Sequence, residues 1–130
     1  MKKITFIILL AFTTLLLSAN TNRNLLGFWE GPHPTDQNIQ FVFHFSLNNN
    51  DSIQCKGYWI NNGFFNSEFS IDSVTIDNKY ISIYIPSWEC YYKGIINNNN
   101  INGEFLCVGE QPDSVLIKRN NSLGNSVFFP

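Results

Sequence analysis

The sequence predicts an all-β fold, a single up-and-down barrel of about eight antiparallel strands. Three observations predict it. Apolar residues recur with a period of two, not 3.6, through most of the chain. The alternating stretches are separated by short polar turns rich in asparagine. Of the 111 residues that follow an apolar leader, 18 are aromatic, a load that favours strands and supplies a large apolar area to a small core. No stretch carries a convincing helical period. Sequential hairpins of this number fit an up-and-down barrel, since closing the sheet abolishes exposed edges; a two-sheet β-sandwich is the alternative.

The chain opens as a secretory signal. Lys2 and Lys3 form a basic start, residues 4–17 are an unbroken apolar or hydroxyl-bearing run, and Ser18-Ala19 offers small residues for cleavage. The run of 14 residues is short of the roughly 20 needed to span a bilayer, so no stable transmembrane anchor is expected. The reading is of an exported protein, periplasmic or secreted. Residues 1–19 are the signal peptide, 20–119 the barrel domain and 120–130 a C-terminal tail or linker.

"LLGFWEG" is the first strand. In "IQFVFHFSL", Ile39, Phe41, Phe43, Phe45 and Leu47 alternate with Gln40, Val42, His44 and Ser46, the pattern of a strand with one buried face. After the turn "NNNDS", "IQCKGYW" places Ile53, Cys55, Gly57 and Trp59 on one face, which makes a hairpin. "NNGFFNSEFS" reads as a loop with little regular structure. "SIDSVTI" and "YISIYIP" flank the turn "DNK" as a second hairpin, and Pro86 ends it because proline cannot donate to a central ladder. "WECYYKGII" and "INGEFLCV" are joined by the asparagines 97–100, and "SVLIKR" closes the set. The inward set is Trp29, Phe41, Phe43, Phe45, Cys55, Trp59, Ile83, Tyr92, Phe105, Val115 and Ile117. Side chains this bulky favour a filled core over a ligand cavity.

Loss of Lys2 and Lys3 takes the formal net charge from −2 to −4, and the remaining basic residues are scattered. Such a chain has no electrostatic footprint for nucleic acid. No G-x-S-x-G elbow and no S-x-x-K pair occurs, so no catalytic residue is assigned and the chain reads as non-enzymatic. His44 alternates with the phenylalanines and points outward; His33 lies in a loop between two prolines. Neither histidines nor cysteines have ligand spacing, so no metal and no cofactor are assigned. Asp-Ser-apolar occurs at Ser52, Ser73 and Ser114, triplets at which some bacteria glycosylate exported proteins.

If residues 97–100 form a four-residue turn, Ile96 faces Ile101, and by the same register Cys90 faces Cys107. Opposed residues of antiparallel strands have Cα atoms about 4.5–5.5 Å apart, within reach of a disulfide. Two buried apolar thiols are the alternative. Cys55 is then the odd cysteine, placed inside the barrel.

Six pieces in order, "GFWEG", "IDSVTI", "ISIYIP", "YKGII", "INGEF" and "VLIKR", resemble the small lipocalin-like β-barrel domain of unassigned role at the N-terminus of some secreted bacterial α/β-hydrolases of the esterase type, which is also attached to β-lactamase-like serine hydrolases. The resemblance covers residues 25–119. More distantly the chain resembles the lipocalin and avidin-type barrels, whose first strand carries G-x-W and whose last ends in a basic residue over that tryptophan. By this resemblance Trp29 plugs one end of the barrel, Lys118 or Arg119 lies over its ring, and Gly27 and Gly31 let neighbouring backbone approach or bend. A barrel of this kind implies an accessory or binding module that contacts a partner protein or a wall or glycan surface. Its alternatives are a carrier of a small hydrophobic ligand held by Trp29, Phe43, Phe45, Trp59, Tyr92 and Phe105, and the front domain of a secreted serine hydrolase.

Overall fold

Alternation of apolar and polar residues builds nine strands in the computed structural model, which describes residues 23–33 and 35–125. The leader 1–19 and the last residues of the tail lie outside the described residues. The strands are β1 (Gly27–Pro32), β2 (Ile39–Leu47), β3 (Ile53–Asn61), β4 (Phe64–Phe69), β5 (Ser73–Asp77), β6 (Tyr80–Ile85), β7 (Cys90–Asn97), β8 (Asn100–Cys107) and β9 (Asp113–Arg119). Short 3-10 turns occupy Pro86–Trp88 and Asn121–Asn125. Among the described residues no helix is long and apolar enough to cross a membrane.

All nine strands join one antiparallel sheet in the order β4-β3-β2-β1-β9-β8-β7-β6-β5. This is an up-and-down meander brought round on itself by the pairing of β1 with β9, where Trp29 faces Arg119. The sheet curls into an open barrel whose edges are β4 and β5. The expected loop at "FFNSEF" is therefore a strand, paired to the end of β3 across a bulge between Trp59 and Ile60. The extra strand does not change the barrel's parity. β3 and β6 are related by an even number of antiparallel steps, so β4 and β5, each antiparallel to its own neighbour, run in the same direction. β4 covers the end of β3, and β5 lies against its start.

The turns explain the register. The β7–β8 connection is two residues, with Asn97 paired to Asn100 and Asn98 at φ 53°, and the register is the one that a four-residue turn would set. Asparagine tolerates this left-handed backbone, and the same role falls to Asn62 and Asn78 in other turns.

The inward faces form one core. Trp29, Phe43, Ile83, Tyr92 and Ile117 are wholly buried, Phe41, Phe45, Phe105 and Val115 nearly so, and Cys55 and Trp59 pack against them half-buried. The Tyr92 hydroxyl donates its one proton to the Val115 carbonyl at 2.8 Å, with the Ile101 carbonyl 3.2 Å away as a second, longer acceptor, which satisfies the one polar atom that this ring carries inward. Burial pushes its phenol well above the usual range. The outer face is not uniformly wet: Val42, Tyr58 and Ile60 are buried there beneath Phe28 and Leu123, the latter from the 3-10 turn after β9.

Candidate functional site

The barrel has two unlike ends. At one end Trp29 is fully enclosed, and its indole N–H donates to the Leu25 carbonyl at 2.8 Å. The Arg119 guanidinium lies over the ring at 4.3 Å from its centroid. It also donates to the Leu26 carbonyl at 2.7 Å, to the Asn24 carbonyl, and through Nε to Asn99 Oδ1 at 3.2 Å. Partial burial lowers its pKa. Lys118, one residue earlier, points outward and is exposed, facing Glu30 across the β1–β9 pair. Gly27 sits at φ +121°, a backbone that other residues rarely adopt. The space beside Gly31 is taken by the Phe41 ring, 2.5 Å from where a Cβ would stand, so what approaches Gly31 is an aromatic ring. This end is closed by packing and hydrogen bonds.

The opposite end is open. A cavity of about 270 Å³ is lined by His33, Phe41, Trp59, Trp88, Phe105, Glu110, Asp113 and the Cys90–Cys107 pair. Its aromatic wall is continuous: Trp59 and Trp88 lie 4.8 Å apart at 33°, Trp88 stands 6.0 Å from Phe105, and His33 is 5.7 Å from Trp59. Phe69, the last residue of β4, backs both indoles at 5.4 Å from Trp59 and 4.5 Å from Trp88.

Local sequence places each of these groups. Pro86 cannot continue the ladder of β6, so the chain turns through Pro86–Trp88 and lifts Trp88 over the end of the barrel. The His33 Nδ1 accepts the backbone N–H groups of Asp36 (3.1 Å) and Thr35 (3.2 Å). A nitrogen that accepts two N–H bonds carries no proton, so the ring proton resides on Nε2. Cys90 and Cys107 are opposed in the register and their sulfurs are bonded, with Cα atoms 4.1 Å apart. The bridge ties β7 to β8 at the rim, directly below the turn that carries Glu110 and leads to Asp113.

The residues expected to hold a ligand are divided by this geometry. Trp29, Phe43, Phe45 and Tyr92 are enclosed in the core, whereas Trp59 and Phe105 line the cavity. Trp88, Glu110, Asp113 and His33 were not among them. They come from turns, where no periodicity points to a common face; the one signal for Trp88 is an indole directly after a strand-ending proline. His44 stacks on Phe28 on the outer face at 4.0 Å, and burial followed by the charge of Lys56 lowers its pKa. Cys55 is the free cysteine, and burial pushes its thiol well above the usual range. Part of the residue is accessible, yet the raised pKa keeps its sulfur protonated and a poor nucleophile near neutral pH.

Chemically, the open end offers aromatic faces, a disulfide wall and two carboxylates. That is equipment for holding a small group. Against family models, curated proteins and solved structures, the chain matches none.

Proposed function

We propose that the chain is an exported, non-catalytic β-barrel module that binds a small ligand, or a small group of a larger partner, at its open end. One observation carries this reading: Trp59, Trp88 and Phe105 meet around a cavity at the mouth, while the interior below them is filled. The two half-buried indoles, over a buried Phe105, supply contact area at little entropic cost, and a few polar groups beside them fix orientation. The filled interior sets this module apart from a deep-pocket carrier. The resemblance to the barrel domains of secreted hydrolases is consistent with an accessory role of this sort.

The three tryptophans serve as reporters. Trp59 and Trp88 sit at the mouth and Trp29 at the far end, with its indole N–H bonded to Leu25. In a fragment screen read by indole N–H resonances of the natively purified chain, ligands are expected to move the Trp59 and Trp88 signals and leave Trp29 unmoved. Hits that shift Trp29 instead, or a diverse screen without a hit, would overturn the assignment.

A further inference from the structure

Resting on that reading, we infer that the mouth selects a small organic cation, of the alkylated ammonium class. The aromatic wall accepts apolar groups and weakly favours a cation; the charge around it strengthens that preference. Glu110 and Asp113 both line the cavity, and among the described residues no lysine or arginine does. An ammonium centre seated on the indole faces is attracted by the ring quadrupoles, and the nearby carboxylates add to that attraction. A carboxylate or phosphate ligand would meet the same two acids as repulsion.

Size points the same way. A cavity of about 270 Å³ lies at or below the lower end of small-molecule sites, which fits a compact head group better than an extended chain. The Cys90–Cys107 bridge holds the rim that carries both acids.

The test compares choline with its neutral isostere 3,3-dimethylbutan-1-ol in titrations of the natively purified chain, read by the indole N–H signals of Trp59 and Trp88. Choline is expected to bind saturably and about tenfold more tightly than the isostere. The double variant Glu110→Gln with Asp113→Asn is expected to reduce that preference to about two- to threefold, the part the rings supply, while leaving the isostere's affinity unchanged. A preference for choline undiminished in the double variant overturns the part assigned to Glu110 and Asp113; equal binding of the two probes overturns the cation assignment and leaves the mouth as a general apolar site. Binding of neither probe overturns it as well. If the fragment screen then also fails to move Trp59 and Trp88, the mouth falls as a site altogether.

Discussion

Replacing Arg119 by methionine tests how the closed end of the barrel is held. The methionine retains aliphatic cover over Trp29 and removes everything that the guanidinium does. Three kinds of interaction go: the cation over the indole at 4.3 Å, the bonds to the Leu26 and Asn24 carbonyls, and the bond to Asn99. A cation–π contact contributes about 0.5–2 kcal/mol and a hydrogen bond to a charged group about 1.5–3 kcal/mol. Arg119 is only half-buried and its bonds to Asn24 and Asn99 are exposed, so water replaces most of those two, and the low ends apply to the ring contact and the Leu26 bond. The expected cost is therefore ~2–3 kcal/mol, which for a domain of this size lowers Tm by roughly 10–20 °C. Urea unfolding followed by far-ultraviolet circular dichroism measures it. Arg119→Lys restores the charge but not the planar fork that reaches two carbonyls at once, so it is expected to recover about half of the loss. An Arg119→Met variant within about 0.5 kcal/mol of the parent would refute the reasoning, because an ordinary surface substitution costs no more. A lysine variant equal to the parent would show that charge alone, without the fork, closes this end.

Three other outcomes follow from the geometry. Replacing both Cys90 and Cys107 by serine opens a loop with a sequence separation of 17 and is expected to cost about 3 kcal/mol, seen as a lower urea midpoint that no longer responds to reductant; an unchanged midpoint would show that the bridge does not contribute. Gly103→Ala would place a Cβ 2.5 Å from the Lys93 carbonyl and 2.7 Å from the Tyr92 hydroxyl, so a loss of at least ~2 kcal/mol is expected from overpacking and the displaced phenol. Its cost should be smaller in a Tyr92→Phe background, where the hydroxyl is absent, and an equal cost in both backgrounds would detach Gly103 from that ring. Because the fold lowers the pKa of His44, the unfolded chain takes up this proton first as pH falls. Its contribution is therefore complete above the ordinary histidine value near 6.5 and is lost as pH drops through the folded pKa. Urea midpoints at pH 7.5 and pH 5 should differ more in the parent than in His44→Phe, which keeps the stack on Phe28; identical differences would remove His44 from the pH response.

The parts of this fold that could be read in the sequence are those in which one face of a strand is buried. β2 alternates Phe41, Phe43 and Phe45 against Gln40, His44 and Ser46 because a twisted sheet has a wet side and a dry side, and hydrophobicity records which is which. The same two-residue arithmetic, carried through the asparagine turn, puts Cys90 opposite Cys107. β4 could not be read this way. Five of its six residues are exposed, so nothing selects an alternation, and Phe64 and Phe65 stand side by side. Val42 shows the converse failure: it alternates with the core phenylalanines and points outward, yet it is buried, because Leu123 arrives from a turn some eighty residues later. The candidate site is divided between the two: alternation and register place Trp59, Phe105 and the Cys90–Cys107 pair, and the rest of its lining has no such pattern. Trp88 leaves the ladder at Pro86, Glu110 belongs to the β8–β9 turn, and Phe69 ends the strand that carried no pattern. None of them is periodic with its neighbours. They become a wall only when curling of the sheet brings β4 and the turn after β6 against the end of β3. The part of the mouth carried by turns leaves little local trace in the chain, because it depends on segments that meet only in the fold, while the alternation that builds the barrel supplies Trp59 and Phe105 and says where the mouth is.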